Sequence, residues 1–265
     1  DELTAGLQPG DLVIIAARPS MGKTSFVMNC AQNAALDHAM PVLVFSLEMS
    51  ATQLVQRMLC SRARIDFFKF RDGFLSERDF PAITGAASKL STAKIFIDDA
   101  SDLTIQELRA RARRLKRKES IEAIFVDYLQ LLTAASQRGA ENRQTEVATI
   151  SRGLKQMAKE LSVPVVVLAQ IGRGVEHDKR KPRLSDLRES GAIEQDADAV
   201  MFLTNEEMFA ENDEDRAAVR GKASLDIAKN RSGPRGPISL TFIKEFTRFE
   251  EQAKEIEETQ PDLGL

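Results

Sequence analysis

Short runs of apolar residues alternate along the chain with segments in which apolar residues recur every three or four positions. The runs are apolar at consecutive positions, which is typical of parallel strands that are buried on both faces. We predict such strands at Leu12–Ala17, Val42–Ser46, Lys94–Asp98, Ala123–Asp127, Val165–Gln170 and Ala199–Leu203. Because helical patterns separate them, the chain is expected to adopt an α/β fold with a mostly parallel central sheet flanked by helices.

The segments between these strands carry the start signals and the periodicity of helices. Ser50 with Gln53, and Thr104 with Glu107, have the spacing of capping boxes, in which two side chains satisfy the first backbone amides of a helix. A later segment places apolar residues at alternating intervals of three and four, at Val147, Ile150, Leu154, Met157 and Leu161. That spacing predicts a helix with one apolar stripe facing the core.

The last part of the chain changes to strict alternation of apolar and polar residues. This alternation at 223–227 and 238–242, on either side of a turn rich in Gly and Pro, predicts a C-terminal antiparallel hairpin added to the edge of the sheet. We expect a mobile acidic insertion at 205–221 and an acidic C-terminal tail at 251–265. With no repeat and no linker in between, residues 1–250 are expected to form one domain.

The composition excludes several classes of protein. Of the 265 residues, 43% are hydrophobic and 29% are charged, which is ordinary for a globular protein with a core. No apolar run approaches the roughly 18 residues of a membrane-spanning helix, and the first residues do not resemble a signal peptide. Two cysteines, Cys30 and Cys60, cannot form a disulfide framework, so a reducing cytoplasm is the expected compartment. The chain does not begin with Met and is expected to be a fragment of a longer protein.

The net charge of −3 does not by itself indicate a nucleic-acid-binding protein, but the charges are segregated. Residues 105–120 contain seven basic side chains and two acidic ones, and residues 171–188 contain six basic and three acidic. Residues 206–216 contain six acidic side chains and one Arg. The basic segments either form a binding surface or are the solvated faces of ordinary elements.

A loop between the first predicted strand and the following helix has the composition of a phosphate-binding loop. Its last residues are Gly22, Lys23 and Thr24. In such a loop the backbone amides bind phosphate oxygens, the Lys reaches the β- and γ-phosphates, and the Thr hydroxyl is a ligand of Mg²⁺. Ala17 stands where the motif usually has its first glycine, which is acceptable if φ is negative there. We therefore predict that ATP with Mg²⁺ is bound by Ser20, Met21, Gly22, Lys23, Thr24 and Ser25.

Two acidic residues are candidates for the chemistry of hydrolysis. Asp127 ends an apolar strand, as in a Walker B segment, and is expected to hold Mg²⁺ through water at the carboxyl edge of the sheet. The next residue is Tyr128, so a water-activating base is not adjacent to Asp127. Glu48 is the candidate base, because it follows a strand that we expect to flank the strand of the phosphate-binding loop. Capping of the helix that begins near Ser50 is an alternative role for Glu48.

Three further polar residues are candidates for sensing or stabilising the γ-phosphate. Gln170 ends a predicted strand and is positioned to hydrogen-bond the γ-phosphate or its water, with turn satisfaction as the alternative. Lys229 and Arg231 lie at the predicted hairpin turn, which is badly placed to reach the nucleotide of its own chain and well placed to reach a neighbour's. We predict that Arg231 is an arginine finger in trans with Lys229 beside it, the alternative being an exposed basic turn.

In this order, the motifs resemble those of the C-terminal RecA-like motor domain of the DnaB-family replicative DNA helicases. The matching segments are 17–24, 45–50, 126–130, 167–170, 185–198 and 229–233. The resemblance covers roughly residues 3–250, and 185–198 is its most specific part. It implies the fold of a RecA-like P-loop NTPase.

The resemblance also implies a bacterial cytosolic or nucleoid protein with a defined mechanism. A ring-shaped homo-hexamer would hold ATP between subunits and couple its hydrolysis to 5′-to-3′ translocation on single-stranded DNA and to duplex unwinding. The resemblance carries over the roles given above for Lys23, Thr24, Glu48, Asp127, Gln170, Lys229 and Arg231. It adds DNA-backbone binding by Arg188, Glu189 and Gly191, and a position near the nucleotide for Arg57. The family's N-terminal domain and linker helix are not in this sequence, and contacts to primase and a helicase loader are expected through those absent parts.

A basic loop that follows Gln170 supports DNA binding from the residues alone. It contains Arg173, Lys179, Arg180, Lys181, Arg183 and Arg188. With no Trp and one Tyr in the chain, binding is expected to be mostly electrostatic, independent of sequence and strongly salt-dependent. Two other classes stay open at this point: a RecA-like recombinase or clock-type ATPase that does not unwind DNA, and a small-molecule P-loop kinase.

Overall fold

The computed structural model describes residues 3–133, 143–171, 180–210 and 212–252. Within these residues, one sheet is built from nine strands. The strands are β1 (Leu12–Ala17), β2 (Val42–Ser46), β3 (Ile95–Asp98), β4 (Ala123–Asp127), β5 (Val165–Gln170), β6 (Ala199–Asn205), β7 (Lys222–Asn230), β8 (Gly236–Ile243) and β9 (Arg248–Glu251). Each strand of the parallel part lies within a few residues of its prediction from the sequence.

Helices connect the strands and cover both faces of the sheet. They are α1 (Lys23–Asp37), α2 (Ala51–Ala63), α3 (Phe67–Asp72), α4 (Asp79–Thr92), α5 (Ile105–Glu119), α6 (Arg143–Leu161), α7 (Gly191–Asp196) and α8 (Asp213–Ala218). Both predicted capping boxes are present, at the starts of α2 and α5. The apolar stripe predicted on α6 is buried. No helix in the described ranges is long and apolar enough to cross a bilayer.

The order of strands across the sheet is β3-β2-β4-β5-β1-β6-β7-β8-β9. Strands β3 to β6 in this order are parallel, whereas β7, β8 and β9 are added by antiparallel pairing. Alternate residues of β1 belong to two separate cores: Leu12 and Ile14 pack with the face that α5 and α6 cover, and Val13 and Ile15 with the face of α1 and α2. The expected α/β fold with a mostly parallel sheet is confirmed.

Three details differ from the expectations. Strand β2 does not flank β1, because β4 and β5 lie between them; strands buried on both faces carry no signal of their lateral order. The hairpin of β7 and β8 is not the edge of the sheet, because the short strand β9 follows it. The acidic stretch at 205–221 contains a turn of 3-10 helix and α8, where Asn212 caps the helix by accepting a hydrogen bond from the backbone of Asp215 at 2.7 Å.

Candidate nucleotide-binding site

The loop between β1 and α1 has the backbone of an anion-binding cradle. Ala17 keeps strand conformation, so the missing glycine is tolerated there. Ser20 and Gly22 have left-handed φ values of 64° and 83°. Gly22 is also the N-cap of α1 and provides no side-chain acceptor for the first helical amides. These amides, at the positive end of a helix of 15 residues, are therefore available to a phosphate group.

Two aromatic rings pack against this loop, and neither was predicted to belong to the site. A Cβ atom at Gly22 would lie 3.1 Å from the ring of Phe249 and 3.2 Å from that of Phe242. The two rings stack at a centroid distance of 4.3 Å, and Phe26 of α1 meets Phe249 edge-on at 5.4 Å. The left-handed φ favours Gly at this position, and a side chain would also require these rings to shift by a few tenths of an ångström. The alternation in β8 indicated a strand, but it gave no sign that the strand packs behind the loop.

Lys23, the first residue of α1, lies in a poorly solvated position. Its Nζ atom is 5.5 Å from the centroid of the Tyr128 ring. Burial lowers the pKa of the Lys23 ammonium, and the negative charges of Asp127 and Glu48 partly oppose that shift. A phosphate placed beside this ammonium would favour its charged form in the same way.

Thr24 and Asp127, which were predicted from the sequence to hold a metal ion, are in direct contact. The Thr24 hydroxyl donates a hydrogen bond of 2.7 Å to Oδ2 of Asp127. Asp127 is only 3% exposed, and within the described ranges its Oδ1 atom is buried without a hydrogen-bond partner. Burial raises the pKa of the Asp127 carboxyl, and the Thr24 hydrogen bond opposes this. A buried carboxylate oxygen with no donor fits a water molecule on a hydrated Mg²⁺ ion, which such sites bind through one or two carboxylates.

Glu48 lies at the same edge of the sheet although β2 is not adjacent to β1. Its strand pairs with β4, where Ser46 is the register partner of Asp127, and the Leu47 amide donates to the Asp127 carbonyl at 2.7 Å. Glu48 is exposed, and its charge acts on Lys23, Asp127 and Tyr128. Glu48 is therefore near the cradle because β2 pairs with β4, and not because β2 flanks β1 as expected.

The capping alternative for Glu48 is not supported. The hydrogen bonds at the start of α2 come from Ser50, Gln53 and Asp99 among the described residues. Asp99 accepts from the Ala51 amide at 2.8 Å. Glu48 is thus left with its carboxylate in solvent beside the cradle.

Arg57 of α2 also lies near the site. Its guanidinium is 5.1 Å from the centroid of the Phe67 ring, and its charge partly opposes the burial that raises the pKa of Asp127. The Nε atom is buried and, in the described part of the chain, has no hydrogen-bond partner. This is compatible with the predicted position of Arg57 near the nucleotide.

Gln170 ends β5, between the strands that carry the cradle and Asp127. It is the register partner of Ala17 in β1. Gln130 holds its backbone on the other side: the Gln130 amide nitrogen donates to the Gln170 carbonyl at 2.9 Å, and the Gln170 amide donates to Gln130 Oε1 at 3.2 Å. Sequence reasoning gave Gln130 no role. Its position makes it the residue that fixes the end of β5 relative to β4.

Lys229 and Arg231 are not brought to this site. β7 runs antiparallel to β6, so Asn230 is paired with Ala199, which is itself paired with Val13 near the start of β1. The two basic residues therefore lie at the edge of the sheet where the parallel strands begin, about one strand length, roughly 20 Å, from the cradle. Within one chain, Lys229 and Arg231 are therefore too far from the cradle to contact a nucleotide bound there.

The residues predicted to bind DNA are only partly visible. Arg188, Glu189 and Ser190 lie on a 3-10 helix, Leu184–Ser190, and their side chains are outside the described part of the structure. Gly191 is exposed and begins α7. Residues 172–179 of the basic loop, which include Arg173 and Lys179, lie outside the described residues, as does the tail from 253. Lys181 and Arg183 are exposed.

Comparison with known proteins identifies the relatives of this chain. A model of the family described as DnaB-like helicase C terminal domain matches residues 1–251. The replicative DNA helicase DnaC of Bacillus subtilis (strain 168) is 47% identical over 94% of this chain and 54% of its own length. The replicative DNA helicase DnaB of Pasteurella multocida (strain Pm70) is 51% identical over 96% of this chain and 54% of its own length. The chain thus spans about half the length of these curated relatives.

Solved structures agree with the sequence relatives. An ATPase domain superimposes with a TM-score of 0.86 at 38% identity, covering 94% of this chain and 87% of the other. A DnaB-like replicative helicase, described together with its interactions with primase, superimposes with a TM-score of 0.85 at 36% identity, covering 94% of this chain and 60% of the other. These neighbours confirm the RecA-like P-loop ATPase fold expected from the resemblance.

Proposed function

Because this chain belongs to the DnaB-like helicase C-terminal domain family, we propose that it is the ATP-driven motor of a bacterial replicative DNA helicase. In this proposal it hydrolyses ATP with Mg²⁺ between the subunits of a homo-hexameric ring, moves 5′-to-3′ along single-stranded DNA and unwinds duplex DNA. Relatives that are replicative helicases support a motor and not a recombinase or clock-type regulator.

The observation that carries the proposal is the division of the predicted catalytic residues between two edges of one sheet. Lys23, Thr24, Asp127 and Glu48 converge at the carboxyl edge of the parallel strands. Lys229 and Arg231 lie at the amino edge. A site that needs both sets is complete only when the amino edge of one copy faces the carboxyl edge of the next, as in a head-to-tail ring.

Within one copy, the residues at the carboxyl edge hold the triphosphate. Backbone amides at the start of α1 and the Lys23 ammonium bind the phosphate oxygens. Thr24 and, through water, Asp127 would hold Mg²⁺, which neutralises charge on the β- and γ-phosphates. Glu48 orients the attacking water and accepts its proton, and its exposure at the turn after β2 leaves room for that water.

The remaining roles belong to the γ-phosphate and to the neighbouring copy. Gln170, at the end of the strand between β1 and β4, hydrogen-bonds the γ-phosphate. When the γ-phosphate leaves, this hydrogen bond is lost and the change is transmitted to the loop that follows β5. Arg231 of the partner subunit, with Lys229 of the partner subunit beside it, stabilises the charge of the transition state. An arginine finger supplied in trans contributes about 10³–10⁵-fold to kcat in other NTPases.

For the DNA, we propose contacts to the phosphate backbone from Arg188, Glu189 and Gly191 and from the basic loop after β5. This segment connects the end of β5 to α7, so it lies between the predicted γ-phosphate sensor and the predicted DNA contacts. We also propose a cytoplasmic location, and primase and loader contacts through parts of the protein outside this chain.

The test is ATP hydrolysis by the full-length protein at low salt, with and without single-stranded DNA, combined with unwinding of a forked duplex that has a 5′ tail. We expect DNA to stimulate hydrolysis, unwinding to require the 5′ tail, and both to weaken steeply as salt is raised. A Lys23→Ala variant is the control and should show neither activity. Hydrolysis that is indifferent to DNA, or a fork opened only from a 3′ tail, would contradict the proposal.

A further inference from the structure

The basic residues proposed to act on a neighbour's nucleotide are held by a well-defined group of acceptors in their own chain. Arg231 Nη1 donates to Oδ1 of Asp198 at 2.9 Å, and Arg231 Nη2 donates to the Gln195 carbonyl at 2.6 Å. Lys229 Nζ donates to the carbonyls of Ala197, at 2.8 Å, and Glu194. These carbonyls lie at the C-terminal end of α7, where backbone oxygens lack helical partners and favour cations.

Asp198 is a rigid acceptor, not a surface carboxylate. The residue is 8% exposed. Its Oδ2 atom accepts from the Leu12 amide, at the start of β1, at 2.8 Å, and from Lys155 of α6. Its backbone amide donates to the Leu12 carbonyl at 2.9 Å, and its own carbonyl accepts from the Arg231 amide at 2.9 Å. Asp198 therefore joins β1, α6 and the end of β7 at one point.

The charge of Asp198 is maintained by these donors. Burial alone would raise the pKa of its carboxyl, but the hydrogen bonds from Lys155, Leu12 and Arg231 lower the pKa below its ordinary value. The ionised carboxylate can then accept from Arg231 on one oxygen while the other is saturated by the core.

The guanidinium of Arg231 is only partly used by this arrangement. A guanidinium has five N–H donors, and two of its nitrogens are engaged by Asp198 and Gln195. The Arg231 side chain is 48% exposed although it makes these two contacts. The guanidinium is therefore held by its own chain and is still accessible to a group from outside the chain.

We propose that Asp198 is a positioning residue, which sets the geometry of Arg231 for the nucleotide of the neighbouring subunit. The inference rests on the proposed function, because it assumes that Arg231 acts in trans. Correct positioning has a large effect on the reaction rate, because a displacement of about 1 Å at a reacting group can lower the rate about 10²-fold. Asp198 itself does not touch the nucleotide.

The test is Asp198→Asn in the full-length hexamer, which keeps the shape of the side chain but removes the charge that holds Arg231. We expect kcat for ATP to fall about 10²-fold while KM and binding of a non-hydrolysable analogue stay unchanged, because the cradle is at the other edge of the sheet. Asp98→Asn, which breaks the exposed-edge ion pair of Asp98 with Arg111 at 2.9 Å, is the matched control and should keep its kcat.

Subunit mixing separates positioning from a general loss of structure. Asp198→Asn should regain activity when mixed with Lys23→Ala, since the two defects fall on opposite sides of the shared site. It should not regain activity when mixed with Arg231→Ala, since both defects fall on the same side. If the single variant folds poorly, Asp198→Asn combined with Lys155→Met removes the buried cation as well and is expected to show the same pattern.

Two results would overturn the proposal in distinguishable ways. If Arg231→Ala loses activity but Asp198→Asn keeps its kcat, or if those two variants restore each other, Asp198 does not position the finger. If Arg231→Ala itself keeps its kcat, the trans finger of the proposed function fails, and the role of Asp198 fails with it.

Discussion

At the scale of single residues, the two oxygens of Asp127 have different surroundings. Oδ2 accepts from Thr24, whereas Oδ1 is buried and has no donor within the described residues. Leaving a buried polar atom unsatisfied costs about 1–3 kcal/mol, more when it is charged. Burial accordingly raises the pKa of this carboxyl. A cost of this kind to the stability of the free chain is what we expect if the strand end binds Mg²⁺, as proposed above.

Replacing Asp127 by Asn is expected to separate stability from nucleotide binding. Burial raises the pKa of Asp127, which means that the ionised form is disfavoured in the fold, so removing its charge should increase the free energy of unfolding at pH 7 in the absence of nucleotide. The rise in melting temperature caused by Mg²⁺ with an ATP analogue should disappear. Asp98→Asn, at the end of β3, is the control and should lower stability slightly. A destabilised Asp127→Asn that still gains from Mg²⁺ would refute this reading of the site.

Glu48→Gln should bind ATP normally and hydrolyse it about 10²–10⁴-fold more slowly, because the base is lost while the cradle is intact. The side chain is exposed, so the melting temperature should not change. Glu122→Gln, an exposed residue at the amino end of β4, is the matched control and should hydrolyse ATP normally. Single-turnover kinetics make the measurement, and normal turnover by Glu48→Gln would place the base elsewhere.

At the scale of elements, the last described strand supports the first functional loop. The Phe249 amide of β9 donates to Asn29 of α1 at 2.7 Å, and the Phe249 ring packs against Phe242 and behind Gly22. The cradle, whose backbone includes left-handed φ values, is therefore supported by residues more than 200 positions later in the chain. This packing gives the β8–β9 hairpin a supporting role for the loop that is proposed to bind the nucleotide.

Phe249→Ala is expected to lower the free energy of unfolding by about 3 kcal/mol through the cavity it leaves, and to weaken binding of an ATP analogue because Gly22 loses its support. Phe74→Ala removes a ring from a residue that is 77% exposed and should change neither quantity. Chemical denaturation and analogue titration provide the two measurements. Unchanged analogue affinity in a destabilised Phe249→Ala would show that β9 has only a structural role.

At the scale of the whole molecule, there are physical reasons why some features can be predicted from the sequence and others cannot. Apolar runs fix the parallel strands, and the spacing of Gly22, Lys23 and Thr24 indicates the cradle, because both are local patterns. The lateral order of buried strands is not local, so the placement of β2 beside β1 was wrong although Glu48 reaches the site. The strand β9 is too short for a clear pattern, and the acceptors of Arg231 come from a segment more than thirty positions away.

The assembly of several molecules tests the proposal that one ATP site is built from two copies of this chain. Lys23→Ala subunits keep an intact amino edge, and Arg231→Ala subunits keep an intact carboxyl edge. Each variant alone should hydrolyse almost no ATP. Rings assembled from mixtures of the two should contain some complete sites, so ATPase activity should reappear and be highest near equal proportions. Activity that stays absent at every mixing ratio, or full activity from Arg231→Ala alone, would contradict the account.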